Sequence, residues 1–132
     1  MILVDADAYL ALNVEKDAHH KQAINLLGQL REVAEDLVTT WDVVDEVATK
    51  LAYFTTKKKA NEFLGLILDS DTRIEFMDRG RGRLTEKLFA KQSSKKVSLT
   101  DCANMVAAGE LGIRKIFSFD RHYVRNGFGL VE

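Results

Sequence analysis

Three consecutive aliphatic residues, Ile2, Leu3 and Val4, run straight into Asp5. A short apolar run that ends on a polar residue predicts a strand over Ile2–Asp5, buried on both faces. Ala8–Val14 is apolar without a breaker and predicts a short helix. Asp17 then reads as the cap of a longer one, in which Ala23, Ile24, Leu26, Leu27, Leu30, Val33 and Ala34 recur at helical spacing. Asp36–Thr39 predicts a second strand, and the Thr-Thr pair at its end can cap the next helix. Trp41–Phe54 repeats apolar residues at helical spacing. Lys57–Leu68 does the same, with Phe63, Leu64, Ile67 and Leu68 inward. Arg73–Met77 alternates like a strand. Arg83–Gln92 reads as a helix whose start Gly80 and Gly82 obscure. Ser98–Leu111 predicts a clear helix, with Ser98 and Asp101 spaced as a capping box and Gly112 as its stop. Lys115–Phe119 predicts a strand followed by Asp120, and Gly129–Glu132 a last edge strand.

Strands that alternate with helices predict an α/β fold with a mainly parallel sheet. In such a sheet ligands gather beyond the C-terminal ends of the strands. Asp5 and Asp120 end two strands at that edge. Asp42, Asp45 and Glu46 fall in the early turns of a helix that starts there. Asp101 opens another helix that must begin near the same rim. Carboxylates from distant parts of the chain are therefore expected to converge. Like charges that close repel, and a divalent cation relieves the repulsion. Hard oxygen ligands open to water suit Mg²⁺ or Mn²⁺, and no zinc-type set of His and Cys is present. Each acid also has a plainer reading. Asp5 and Asp120 fit strand-end turns or helix caps, Asp101 fits a capping box, and Asp42, Asp45 and Glu46 fit a solvated helix face.

Composition adds limits. The chain has 132 residues, 46% hydrophobic, which fits one domain spanning 1–132 with a real core. A lone cysteine, Cys102, permits no internal disulfide, so a reducing cytoplasm is expected. No apolar stretch is long enough for a membrane span, and no basic segment leads an apolar one at the start. The net charge of −1 hides an asymmetry. Residues 1–54 carry ten acids and four bases, whereas 55–132 carry fifteen bases and ten acids. Asp78–Lys96 alone holds seven bases against two acids. Such runs mark either nucleic-acid contact or a solvated face.

The order VDADAYLAL, VVDEVATKL, SLTDCANMVAA and FSFDRHY resembles the PIN-domain nucleases, and among them the small VapC-type toxins. The likeness spans nearly the whole chain, and SLTD and FSFDRHY are its more specific parts. It implies a three-layer α/β/α sandwich with strand order 3-2-1-4-5. Residue by residue, it implies that Asp5, Glu46, Asp101 and Asp120 are the catalytic and metal-binding acids. Asp5 and Asp101 would be direct ligands, and Glu46 and Asp120 would bind directly or through water. The implied activity is Mg²⁺- or Mn²⁺-dependent endoribonuclease cleavage leaving 5′-phosphate and 3′-hydroxyl ends. A type II toxin would have an antitoxin partner, and a homodimer is expected. Arg121, Lys57, Lys58, Lys59, Arg79, Arg81 and Arg83, within the wider segment to Lys96, are candidate RNA contacts. One departure stands out: Ala6 and Asp7 follow Asp5 where the family often has hydroxyl or amide residues. Asp7 is expected to act as a helix cap.

Other readings stay in view. A stand-alone PIN nuclease of RNA processing, or a nuclease fold used only to bind RNA, shares the same acids. A strand ending Asp-x-Asp also opens the haloacid-dehalogenase-like phosphatases, but those need a late paired-acid motif and FSFDRHY offers one acid. His19 and His20 read as surface residues and Cys102 as a core thiol. Trp41 reads as packing beside the second strand, and Leu51, Tyr53 and Phe54 as core or as an apolar surface for a second copy or an antitoxin.

Overall fold

A computed structural model describes all 132 residues. The sheet has five parallel strands: β1 (Ile2–Val4), β2 (Leu37–Thr40), β3 (Arg73–Glu75), β4 (Lys115–Phe117) and β5 (Gly129–Leu130). Their spatial order is β3-β2-β1-β4-β5, as expected from the family resemblance. Seven helices connect them: α1 (Ala6–Asn13), α2 (His20–Glu32), α3 (Trp41–Phe54), α4 (Lys57–Asp69), α5 (Arg79–Lys91), α6 (Leu99–Leu111) and α7 (His122–Arg125). β1 is central, with Leu3 opposite Val38 of β2 on one side and Ile116 of β4 on the other.

Side chains alternate across a strand, so β1 feeds two cores. Ile2 and Val4 join Phe117 and the inward faces of α1, α2, α3 and α4. Leu3 joins Val38, Ile116 and the inward face of α6. The sheet is thus covered on both sides, which explains why β1 carries no polar position. Leu3 is fully buried, and Leu3→Ala should cost roughly 2–5 kcal/mol.

The structure moves several element ends. β4 stops at Phe117, before the predicted Phe119. α5 starts four residues earlier than the apolar pattern indicates, because Asp78 caps it by accepting from Arg81 N at 2.8 Å. Asp17 does not cap α2; its carboxylate accepts from His19 N, and the helix starts at His20. Ile24, Val33 and Leu68 lie on solvent rather than in the core. Tyr53 and Phe54 are also exposed, whereas Leu51 is buried. α6 keeps its capping box and ends at Gly112, whose φ of 70° suits glycine. No helix is long and apolar enough to cross a membrane.

Candidate active site

Parallel strands bring their C-terminal ends to one edge, and the acids follow. Asp5 leaves β1, caps α1 and accepts from Ala6 N at 2.7 Å. Asp101 sits in the first turn of α6, where its Oδ2 accepts from Ser98 N at 2.9 Å. Asp120 follows β4 and accepts from His122 N at 2.9 Å. Glu46 projects from α3, 3.5 Å from Lys50. All four line one cleft of about 220 Å³, together with Asp7, Lys50, Lys96 and Ser98. Asp42 and Asp45 do not line it; Asp45 is exposed on the far side of α3.

Asp7 departs from its expected role as a cap. Its Oδ2 accepts from Phe119 N at 2.8 Å and from Ser118 Oγ at 3.0 Å. It therefore latches α1 to the turn after β4. Its other oxygen, Oδ1, is buried without a partner.

Behind the cleft lies a polar network that sequence patterning did not single out. Asn104, fully buried in α6, donates to Asp5 Oδ1 at 2.9 Å and to Tyr123 Oη at 3.0 Å, and accepts from Thr40 Oγ1 at 2.8 Å. Tyr123 Oη is 3.4 Å from Asp101 Oδ1. An amide inside the apolar run CANMVAA was the available signal, since a buried amide needs partners.

Burial, then the nearby charges of Asp7 and Asp101, push the Asp5 carboxyl up to about 8. Burial also raises Asp7, against the hydrogen bond from Phe119. The Cys102 thiol is raised by burial and by Asp101 next to it, so it stays protonated as a core thiol. Asp5 and Asp7 therefore hold their protons more tightly than free carboxyls do.

The donor set consists of hard carboxylate oxygens, and both the unpartnered Asp7 Oδ1 and the raised Asp5 fit a missing positive charge. The side chains are turned to protein hydrogen bonds, and no three acids stand together at ligand spacing. Asp5, Glu46, Asp101 and Asp120 share the cleft and are the acids that would hold a cation there.

The candidate RNA contacts divide. Arg121, Lys57, Lys58 and Arg79 are exposed, and Lys59 is half-buried. Arg83 pairs with Glu86 at 2.7 Å on the surface. Arg81 is clasped by Glu110 at 2.9 Å and Glu75 at 3.4 Å, with its side chain 17% exposed. Trp41 is partly exposed and stacks on Phe76 at 5.6 Å, rather than packing in the core. His19 is exposed and stacks on Phe119. His20 is half-buried, its Nδ1 2.6 Å from the Ala11 carbonyl.

The sequence profile of the PIN domain matches residues 2–129. The chain belongs to the PIN-domain family. A solved structure of similar fold is that of Mycobacterium tuberculosis VapC20, described as a sarcin-ricin loop cleaving toxin. The two chains are 20% identical, with a TM-score of 0.86 over 97% of this chain and 96% of that one. No curated protein matches the sequence. This PIN domain therefore shares its fold with VapC20, and its acids lie on the sheet edge from which α1, α3 and α6 start.

Proposed function

We propose that the protein is a metal-dependent endoribonuclease that hydrolyses RNA phosphodiester bonds, acting as the toxin of a type II toxin–antitoxin pair. The observation that carries this reading is the meeting of Asp5, Glu46, Asp101 and Asp120, from four separate elements, in one cleft. Family membership supports the nuclease class, and likeness to VapC20, itself described as a sarcin-ricin loop cleaving toxin, supports the toxin reading.

Asp5 and Asp101 hold Mg²⁺ or Mn²⁺, with Glu46 and Asp120 binding it directly or through water. An ion held there would supply Lewis-acid chemistry, lowering the pKa of water and polarising the phosphate. Asp5 must release its proton for the ion, so metal affinity rises with pH up to about 8. One of the four acids also accepts the proton of the attacking water. Lys50 and Lys96, on the walls of the cleft, offset its negative charge and hold the scissile phosphate. Exposed Arg79 and Arg121 extend that positive track along the RNA.

A neutralising partner would cover the acid rim. Apolar surface for it, or for a second copy of the chain, is present at Tyr53 and Phe54 and in a recess of about 260 Å³ among α1, α2 and α4. The test is cleavage of RNA with Mg²⁺ or Mn²⁺, with and without chelator, by the parent and by Asp5→Asn and Asp101→Asn. Loss of cleavage in folded variants supports the assignment. Parent-rate cleavage by Asp5→Asn with excess Mg²⁺ removes it.

A further inference from the structure

Asn104 occupies the middle of a helix, where a side-chain amide gains nothing for helix formation, and it is fully buried among Cys102, Met105 and Ala108. Its hydrogen bonds have a fixed direction. Thr40 Oγ1 already accepts from Val43 N at 3.2 Å, as the cap of α3. Its own proton therefore goes to Asn104 Oδ1 at 2.8 Å, and this sets the orientation of the amide. Both Asn104 Nδ2 hydrogens then point onward, one to Asp5 Oδ1 and one to Tyr123 Oη. Having accepted there, the Tyr123 hydroxyl directs its single proton to Asp101 Oδ1 at 3.4 Å. Every donor in the chain runs from the cap of α3 towards an acid.

The consequence for Asp5 is asymmetric. Its Oδ1 receives two short bonds, from Ala6 N and Asn104, while Oδ2 has Ser118 Oγ at 3.3 Å, whose single proton also faces the nearer Asp7 Oδ2 at 3.0 Å. One oxygen is tethered to the protein and the other is weakly held. Residue 6 is alanine, so apart from its backbone N–H the tether comes from α6.

We infer that Asn104 and Tyr123 are positioning residues that orient Asp5 and Asp101 and thereby set the cation affinity of the cleft. This rests on the metal-dependent reading above. Groups that orient metal ligands are typically worth ten- to a hundred-fold in metal affinity or activity. Asn104 and Tyr123 act in series, so their effects overlap: without Asn104, Tyr123 loses the bond that aligns its hydroxyl.

The experiment compares the parent, Asn104→Leu, Tyr123→Phe, the double variant and Asp5→Asn. Binding of Mn²⁺ alone is measured from the spin-resonance signal of the free ion, and thermal unfolding is measured in chelator. The expected result is Mn²⁺ binding weakened about ten- to a hundred-fold in Asn104→Leu and about ten-fold in Tyr123→Phe. The double variant should be no weaker than Asn104→Leu within about two-fold, while Tyr123→Phe unfolds in chelator close to the parent. Tyr123→Phe removes one oxygen atom and keeps the ring, so it reports even if Asn104→Leu folds poorly. Folded variants that bind Mn²⁺ as tightly as the parent overturn the positioning role and leave the metal site standing. A parent whose Mn²⁺ binding is unchanged by Asp5→Asn overturns both.

Discussion

Two charge clusters sit on this molecule, and they are built in opposite ways. The acid cleft gathers Asp5, Asp7, Glu46, Asp101 and Asp120, with Asp5 and Asp101 buried and Asp5 pushed up to about 8. The arginine-rich start of α5 is largely exposed, and its best-packed member, Arg81, is clasped by Glu75 and Glu110. In the basic cluster most charges meet water or a partner, so ordinary surface physics accounts for much of it. In the acid cluster the charges repel and are desolvated, and folding alone supplies no reason to keep them together. The basic segment is the larger signal by count, but the acid cleft is the stronger one by energy.

The largest effect expected from this contrast is on cleavage. Asp5→Asn and Asp101→Asn should each lower single-turnover RNA cleavage on the order of a thousand-fold or more, since the ion supplies several kcal/mol of transition-state stabilisation. Neither should lower the melting temperature in chelator: Asp101→Asn removes a charge from a crowded site, and Asp5→Asn stays neutral where the Asp5 carboxyl must take on charge as pH climbs to about 8.

Next comes the dependence of stability on pH. The Asp5 carboxyl rises from 3.8 to about 8 on folding, so the folded state holds this proton more tightly than the unfolded chain. Its contribution to stability is complete below about pH 4 and is lost as pH climbs to about 8. Metal-free protein should therefore melt at progressively lower temperature across that window. Asp5→Asn should flatten the trend, and saturating Mg²⁺ should reverse it.

A smaller effect separates the arginines. Arg81→Met should cost roughly 1 kcal/mol of stability, seen in urea unfolding, because it breaks a partly buried clasp. Arg79→Ala should leave unfolding unchanged and weaken RNA binding, reducing the slope of log affinity against log salt by about 1 per lost phosphate contact. Equal effects of the two on RNA binding would erase the distinction drawn here. Smallest of all, Lys96→Ala should weaken RNA binding a few-fold, read as a rise in KM larger than the fall in kcat, since it removes attraction rather than a ligand.

Much of the fold was legible because burial leaves a pattern. The run Ile2–Val4 and the capping box of Ser98 and Asp101 depend on local chemistry, and both stand where the sequence put them. Ends governed by hydrogen bonds elsewhere were not legible. β4 stops at Phe117 because Ser118 and Phe119 turn to meet Asp7, a residue more than a hundred positions away. α5 starts at Arg79 because Asp78 caps it, although the two glycines argue against a helix there. At the cleft, the acids could be placed on one rim from topology. The Asn104–Tyr123 network could not, because neither residue announces its partner in sequence. The chain also keeps exposed aromatics, Tyr53 and Phe54, where helical spacing alone points to core.

The most direct measurement is the anomalous scattering of Mn²⁺ in crystals of the protein. The expected result is a peak in the cleft within about 2.2 Å of carboxylate oxygens of both Asp5 and Asp101, with Glu46 and Asp120 around it. A well-occupied peak elsewhere, with the cleft empty at saturating Mn²⁺, would contradict it.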